Sequence, residues 1–557
     1  MNNKNLKILL EESQNEFKYQ KSKSNLNITF NRISFIFFIF FIIFTVYTIH
    51  LIHLGSRNQN VKIEDKSNFF SNNLYRADIV DRNGHYLSKT VSSIDIGIST
   101  AKVIDKKKLL INLKYIFPNK DYKKIKSKLE NKKFFYFEKK ISDENYEKIM
   151  RLGDQSIQPE ERLTRIYPEK NLFSHIIGQI DNDNNGISGL EKSLDNVLKN
   201  SSKSIKLTVD KDIQFLIRDE LIKFNEVFKT KGSAAVLMDV NNGQILSLVS
   251  LPDFDPNKRK RITDVNFINR VTKGVYEFGS VFKTFTLAAA FDQKIIEPQT
   301  KFLDLPKSIS CAGFPIREYD EKIPSDLTAE QILIRSGNIG SVKIGQKVGV
   351  EKFKLFLKKI GIINEINFDI EEVGKPIDFN WGKCPLATAS FGHGITTTLL
   401  QIVKAYSIVV NGGYYIDPIL IKKSKKIKKE KILENNVSKK ILPILRKIVT
   451  TKEGTANLAN VNGYEIGGKT GTANKIIDGI YSDKKINTFV SIFPTSKPKF
   501  ILAVMLDEPK INDDYIYEYR DGSNFKLKGS PRNTAGWNSV EATGHIIEKI
   551  GPILATK

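Results

Sequence analysis

One uncharged run of 22 residues, from Ile33 to Leu54, constrains this chain more than any other feature. As an α-helix the run is ~33 Å long, which is enough to cross a hydrocarbon core of roughly 30 Å. A cleaved signal peptide has an apolar core of about 7–15 residues and a small-residue cleavage site. The segment Leu54–Arg57 is a poor cleavage site, so the run predicts an uncleaved transmembrane helix over 33–54.

The charges before the run predict its orientation. The first 32 residues contain six Lys or Arg residues and three Glu residues, so the tail 1–32 is expected to stay in the cytoplasm. No later stretch is long and apolar enough to span again. The other ~500 residues should form one extracytoplasmic body on a single tether, on the scale of several domains. A net charge of +25 is compatible with nucleic-acid binding. However, a domain outside the cytoplasm would not encounter the chromosome, and the lysines are spread along the chain rather than clustered.

Composition excludes several other classes. With 40% hydrophobic residues and two cysteines, the chain is neither disordered throughout nor a disulfide-rich scaffold. Cys311 and Cys384 are 73 positions apart and are expected to stay unpaired. The six histidines are scattered, without an HExxH or CxxC motif, so we expect no metal site and no cofactor.

The extracytoplasmic part divides into two regions that differ in composition and residue pattern. Residues 55–204 are rich in Lys, Asn and Asp and predict a non-catalytic pedestal domain of short strands and helices. From 205 onward, strand patterns at both ends flank helical segments, which predicts a mixed α/β domain over 205–557. The strands are a hairpin around Asn241-Asn242-Gly243 and two later runs, Asn487–Phe493 and Lys499–Leu506.

Ser280 and Lys283 have the spacing of a serine nucleophile and its base. Positions i and i+3 share a helix face, so the amine and the hydroxyl would be neighbours. Lysine is a poor base at its ordinary pKa of about 10.4, but burial or a second lysine lowers that pKa. The segment Val281–Phe291 is nearly all apolar around Lys283, and Ser280 would lie at the positive end of this helix.

Two more short motifs follow in order, Ser336-Gly337-Asn338 and Lys469-Thr470-Gly471-Thr472. Chance matches to S-x-x-K also occur, at Ser482–Lys485, Ser496–Lys499 and Ser523–Lys526. None of those three opens a long apolar helix. The ordered set of three motifs is therefore the strong signal.

In this order, S-x-x-K, S-x-N and K-T-G resemble the active-site motifs of penicillin-recognising serine transpeptidases and β-lactamases. The chain is similar to class B penicillin-binding proteins from residue 76 to its end, and Gly467–Ala473 resembles the division-specific FtsI type. The other blocks that carry the resemblance are Arg76–Gly84, Arg165–Pro168, His175–Gly178, Gly189–Glu191, Leu207–Asp210, Leu251-Pro252, Asp255–Asn257 and Ser390–Gly394. One departure is Phe278, where many relatives have proline or leucine.

The resemblance implies a fold and a reaction. The fold is a central antiparallel sheet covered by helices, with an α+β pedestal of the dimerisation type and one membrane helix. The reaction is peptidoglycan cross-linking through an acyl-enzyme, in which an amine of a neighbouring strand replaces the terminal D-alanine of a D-Ala–D-Ala stem peptide. β-Lactams would acylate the same serine.

The resemblance also implies a role for each site residue. Ser280 would attack, Lys283 would accept its proton, and the backbone N–H groups of Ser280 and Thr472 would bind the oxyanion. By the same resemblance, Ser336 would transfer a proton to the leaving group and Asn338 would bind the substrate amide. Thr470 and Thr472, beside Gly471, would bind the terminal carboxylate. Lys469 would supply a positive field.

The implied setting is the bacterial inner membrane at the division septum, with the catalytic domain in the periplasm. A membrane-embedded glycosyltransferase of the FtsW type and other division proteins would be the partners, together with the lipid bilayer. Four alternatives stay open at this point. They are an elongation-specific transpeptidase, where the last motif tends to read K-S-G-T, a non-catalytic β-lactam sensor or division scaffold, a β-lactamase, and a bifunctional enzyme with a glycosyltransferase domain.

Overall fold

The computed structural model describes residues 32, 34–52, 75–258, 267–377, 379–422 and 430–556. The chain divides into two compact units, Met1–Asn72 and Asn73–Lys557. In the first unit, helix α1 (Ser34–Ile52) has a mean hydropathy of 2.5. Among the described residues it is the one helix long and apolar enough to cross a membrane. The predicted ends of the span at 33, 53 and 54, and the tail 1–31, lie outside the described residues.

The second unit contains both helices and strands. Its helices are α2 (Lys106–Ile116), α3 (Tyr122–Asn131), α4 (Asp143–Met150), α5 (Ser174–Ile177), α6 (Gly189–Ser193), α7 (Asp195–Asn200), α8 (Lys211–Val227), α9 (Lys283–Asp292), α10 (Ala329–Ile334), α11 (Asn338–Val348), α12 (Val350–Lys359), α13 (Lys383–Ala389), α14 (Leu399–Val410), α15 (Asn435–Thr450) and α16 (Ser539–Ala555). Its strands are β1 (Ile79–Val80), β2 (Tyr86–Ser99), β3 (Phe134–Glu138), β4 (Ile157–Ile166), β5 (Ile205–Lys206), β6 (Gly232–Asp239), β7 (Ile245–Leu251), β8 (Lys301–Phe302), β9 (Ser308–Cys311), β10 (Phe314–Arg317), β11 (Leu327–Thr328), β12 (Gly467–Ile477), β13 (Ile480–Phe493), β14 (Phe500–Asp507), β15 (Ile516–Glu518) and β16 (Lys526–Lys528).

The N-terminal part of this unit is built on a sheet in the order β3-β2-β1-β5, with β4 paired to β2. Helices α2 and α3 begin at Asp105 and Asp121, whose carboxylates accept hydrogen bonds from the first free backbone N–H groups. Their apolar faces, including Leu109 and Leu129, contribute to a small core with residues of β2 and β3. The lysine-rich helices agree with the prediction for this region, but β2, with 14 residues, and β4, with 10, are longer than the short strands expected.

The C-terminal part of the unit is organised around an antiparallel sheet in the order β12-β13-β14-β6-β7. The predicted hairpin is confirmed, since β6 and β7 pair from Ser233 opposite Leu251 across the Asn-Asn-Gly turn. Strands β6, β7 and β14 are buried along nearly their whole length, as expected for strands covered on both faces. Helices α9 and α14 contribute to the same apolar core. The mixed α/β fold expected from the sequence is confirmed.

Two features of this part differ from the sequence expectation or add to it. Strand β12 contains Gly467, Gly468 and Gly471, and glycine is depleted in strands, so its pattern did not predict the edge strand that the structure shows. Cys311 and Cys384 are joined by a disulfide, so the expectation of unpaired cysteines is wrong. Their separation of 73 residues gave no hint that β9 would pack beside α13. The bond ties the β9–β10 hairpin to the first turn of α13.

Candidate active site

Ser280 lies in a short 3-10 turn, Gly279–Phe282, that leads directly into α9. Gly279 has a φ of +52°, and a Cβ there would lie 2.6 Å from the carbonyl oxygen of Thr472. Only glycine fits this contact without strain, and it holds the turn against β12. From α14, the Tyr406 hydroxyl donates a hydrogen bond to the Val281 carbonyl at 2.8 Å. Ser280 is thereby placed, half-buried, on the wall of a cavity of about 1070 Å³.

Lys283 is held under the cavity floor with 1% of its surface exposed. Its Nζ donates hydrogen bonds to the Ser336 carbonyl at 2.5 Å and to Asn338 Oδ1 at 2.6 Å. Burial lowers the pKa of Lys283 from 10.5 to about 7, and the negative charge of Glu318 opposes part of that shift. At neutral pH a large fraction of the amines is therefore uncharged, as a base requires.

The hydroxyl of Ser336 lies between two lysine amines. Its Oγ is 3.3 Å from Lys283 Nζ and 2.9 Å from Lys469 Nζ. Ser336 has a φ of +56°, in the left-handed region that non-glycine residues rarely occupy. The loop turns sharply here into α11, so that Ser336 and Asn338 both face Lys283.

Lys469 and its neighbours come from the edge strand β12. Thr470 and Thr472 share one face because successive side chains alternate, and both line the cavity. Lys469 is fully buried, and this burial, together with the nearby Lys283, holds its pKa well below the ordinary value of 10.5. At Gly471 a Cβ would lie 2.2 Å from the Phe278 carbonyl oxygen, so a larger residue would push the serine turn away.

The structure therefore brings all the sequence-predicted site residues together. It adds detail that the sequence did not give, because the Lys283 amine is bonded to Ser336 and Asn338 rather than to Ser280. Among the described residues, no hydrogen bond reaches the Ser280 hydroxyl. Such bonds are often long in the empty enzyme and shorten when substrate is bound.

Sequence reasoning missed Glu318, which follows β10. Its carboxylate accepts hydrogen bonds from the backbone N–H groups of Asn338 at 2.6 Å and Ile339 at 2.9 Å. It thus caps α11 at the turn that carries Ser336, where the helix dipole favours negative charge. Glu318 lies 18 residues before Ser336 in a stretch without a motif, so no local pattern pointed to it.

We expect Glu318→Gln to move the pH dependence of Ser280 acylation to lower pH. The carboxylate raises the pKa of Lys283, so its removal lowers that pKa further. Loss of the charged cap should also lower the free energy of unfolding by about 1 kcal/mol. Acylation rates between pH 5 and 9 and chemical denaturation measure both effects. Asp320→Asn, which removes a charge from the lining of the active-site cavity two residues away, is the control. An unchanged profile would contradict the influence of Glu318.

Comparisons with known proteins agree with this geometry. Residues 233–524 match the penicillin binding protein transpeptidase domain, and residues 72–223 match the penicillin-binding protein dimerisation domain. The position of the second match agrees with a separate N-terminal domain. The boundary at residues 204 and 205 stays a prediction.

Two relatives align over most of their length. One is the "Probable peptidoglycan D,D-transpeptidase FtsI" of Caulobacter vibrioides, 28% identical over 86% of this chain and 82% of the relative. The other is "Stage V sporulation protein D" of Bacillus subtilis, 31% identical over 78% of this chain and 74% of the relative. The crystal structure of penicillin binding protein 3 from Mycobacterium tuberculosis, complexed with aztreonam, shares the fold. Its TM-score is 0.64 at 22% identity, over 86% of this chain and 96% of that one. The chain therefore belongs to the class B penicillin-binding proteins, a family of peptidoglycan D,D-transpeptidases.

Proposed function

We propose that this protein cross-links peptidoglycan stem peptides through an acyl-enzyme on Ser280 during synthesis of the division septum. The observation that carries the chemistry is the hydroxyl of Ser336 between two buried lysine amines, beside the cavity that Ser280 lines. An amine whose pKa is lowered to about 7, as at Lys283, can accept and pass on protons at neutral pH, which a lysine of ordinary pKa cannot do.

In the acylation step, Ser280 Oγ attacks the carbonyl carbon of the penultimate D-alanine. A C–O bond forms, and the hydroxyl proton moves to the amine of Lys283. A neutral amine has two N–H groups, which are used by the Ser336 carbonyl and Asn338 Oδ1, so its lone pair is left to take this proton. The backbone N–H groups of Ser280 and Thr472 stabilise the oxyanion.

Collapse of the tetrahedral intermediate breaks the C–N bond and releases D-alanine. The departing nitrogen takes a proton from the Ser336 hydroxyl, which in turn receives one from the protonated Lys283. The acceptor amine then attacks the Ser280 ester, so that a C–N bond forms and the C–O bond breaks. The proton lost by the amine returns to the Ser280 oxygen along the same route.

Lys469 acts on the terminal carboxylate of the stem peptide, together with Thr470 and Thr472. Burial and the nearby Lys283 lower the pKa of Lys469, which disfavours its charged form before the substrate binds. An arriving carboxylate supplies the opposite charge and favours protonation, because an opposite charge nearby raises the pKa of an amine. One N–H of the Asn338 side-chain amide donates to the Arg317 carbonyl at 2.8 Å, and its second N–H is the donor for a substrate amide carbonyl.

The experiment for the catalytic assignment is labelling with a tagged penicillin. The full-length chain in detergent is incubated with the label, and the modified peptide is mapped by mass spectrometry. We expect the label on Ser280 and none on Ser280→Ala, because the hydroxyl of Ser336, the second serine of the cavity, is already hydrogen-bonded to the Lys469 amine. Ser482→Ala, at a chance S-x-x-K match, should label normally. Label that persists on Ser280→Ala would contradict the proposal.

The pKa of Lys283 sets the expected pH dependence of acylation. Because the neutral amine is the base and its pKa is about 7, the rate should rise as the pH passes from 6 to 8 and then level off. Stopped-flow acylation with a chromogenic β-lactam measures this profile. A rate that does not change over this range would argue against Lys283 as the base.

The septal role and the membrane topology complete the proposal. Similarity to a relative named FtsI and the K-T-G-T sequence at 469–472 support septal synthesis with an FtsW-type glycosyltransferase as partner. Helix α1 and the basic tail support a single-pass anchor with the catalytic domain in the periplasm. A fluorescent fusion should mark the septum, and depletion should give filaments. Round cells would instead assign the elongation role.

A further inference from the structure

One end of the active-site cavity contains an acidic group that the proposed reaction does not use. Glu277 lies three residues before Ser280 and lines the same cavity, with 7% of its surface exposed. One of its carboxylate oxygens accepts a 2.8 Å hydrogen bond from the Tyr481 hydroxyl. The other oxygen lies 3.7 Å from Nδ1 of His393.

The charge environment of Glu277 differs from that of the cavity's other carboxylate. Among the described residues, no lysine or arginine forms an ion pair with it. The other carboxylate of the cavity, Asp320, differs because it pairs with Arg532 at 3.4 Å. A mostly buried carboxylate without a cation is costly unless a ligand supplies the charge. The arrangement therefore favours the binding of a positively charged group beside Glu277.

Aromatic rings form the wall beside this carboxylate. The ring of His393 stacks on Tyr481 at a centroid distance of 4.6 Å and on Phe391 at 6.0 Å. All three rings line the cavity. The face of a tyrosine or phenylalanine ring attracts cations, so this stack adds to the attraction of the carboxylate. Burial and the bond to Glu277 raise the pKa of Tyr481, which keeps its hydroxyl protonated as the donor.

The position of the group separates it from the residues proposed to bind the donor peptide. Tyr481 pairs with Ile476 on β12, four residues beyond Thr472. At about 3.3 Å per residue, this places the pair ~13 Å along the strand from Thr472. Tyr481 therefore reaches Glu277 from a position on the sheet well beyond the threonines, and Glu277 lies three residues before Ser280.

We propose that Glu277, Tyr481 and His393 form the subsite that receives the primary ammonium group of the acceptor strand. This inference rests on the proposed transpeptidase function. An amine acceptor is protonated in water at neutral pH, and the carboxylate holds this ammonium next to the acyl-enzyme. Loss of one proton to solvent exposes the nitrogen lone pair, which then attacks the Ser280 ester as described above.

The test compares two nucleophiles on the full-length chain in detergent. The donor is a thioester analogue of a D-Ala-terminated peptide with its amines acetylated, so that the donor carries no ammonium. The acceptors are a lysine amide acetylated at its α-amine, which is cationic, and hydroxylamine, which is uncharged at neutral pH. The ratio of aminolysis to hydrolysis products is measured for the parent, Glu277→Gln, Tyr481→Phe and the control Asp320→Asn.

For Glu277→Gln we expect the ratio with the lysine amide to fall by about tenfold, the scale of a charge-assisted hydrogen bond. The ratio with hydroxylamine and the acylation rate should stay within about twofold. Tyr481→Phe should show a smaller loss of the same kind, and Asp320→Asn should behave like the parent. An unchanged ratio with the lysine amide, or an equal fall with hydroxylamine, would overturn the inference.

Two further results distinguish an acceptor subsite from a donor subsite and from an inactive enzyme. A donor with a free side-chain amine is compared with its acetylated form. If Glu277→Gln slows acylation only by the free-amine donor, the subsite belongs to the donor peptide and the acceptor assignment is overturned. If the parent itself is not acylated at Ser280, the proposed function fails. Normal acylation with an unchanged acceptor ratio would overturn this inference alone.

Discussion

Replacing Lys283 with alanine is expected to slow acylation of Ser280 by a factor of about 10² to 10⁴, the usual contribution of a positioned general base. The amine is buried, and a large fraction of it is uncharged near neutral pH. Among the described residues, Lys469 is the other lysine that contacts Ser336. Stopped-flow acylation with a chromogenic β-lactam measures the effect. The same substitution should change the melting temperature little, because the lost hydrogen bonds are offset by the removal of a buried amine.

The matched control is Lys485→Ala. Lys485 lines the same cavity and donates a hydrogen bond to the Asn533 carbonyl at 3.2 Å, away from the amine pair. Its acylation rate should stay within about threefold of the parent, as for a contact outside the reacting groups. If Lys283→Ala acylates at the normal rate, another group is the base.

Gly392→Ala is expected to disrupt the site from the opposite side. Gly392 has a φ of +84°, and a Cβ there would lie 2.0 Å from the carbonyl oxygen of Gly279. That oxygen belongs to the backbone that carries Ser280, so it cannot move aside by a side-chain rotation. Strain and overpacking together should lower the free energy of unfolding by about 2–4 kcal/mol. Displacement of the serine should slow acylation by about 10²-fold.

Gly463→Ala separates the two causes. Gly463 has nearly the same φ, +83°, but no heavy atom lies within 4 Å of the built Cβ. The free energy of unfolding of this variant should fall by only about 1 kcal/mol, the cost of the backbone conformation, and its acylation rate should be normal. Chemical denaturation and acylation rates measured on both variants provide the comparison. Equal losses in the two variants would show that the contact with Gly279 is not rigid.

The sequence predicted what depends on local pattern. Uncharged length predicted α1, and alternating or continuous apolar runs predicted β6, β7, β13 and β14. The spacing of Ser280 and Lys283 predicted that both belong to one site, because residues three apart share a helix face. This holds even though the helix begins as a 3-10 turn. The three motifs identified the site because their residue types are fixed by the chemistry.

What the sequence did not predict depends on contacts between distant segments. Glu318 caps a helix that begins 20 residues later, and Glu277 is held by Tyr481 from a strand 204 residues away. Neither contact produces a periodic pattern in the sequence. The pairing of Cys311 with Cys384 was missed for the same reason, since only folding brings the β9–β10 hairpin beside α13.

That disulfide has a consequence for the life of the protein in the cell. Such bonds persist in oxidising compartments and are rare in the reducing cytoplasm. The hairpin it anchors is followed directly by Glu318, and the described residues contain no free cysteine. A newly made chain that still faces the cytoplasm would therefore keep both thiols and a loosely tethered hairpin. With the periplasmic placement proposed above, oxidation would follow translocation and would then tie the hairpin that precedes Glu318 to α13.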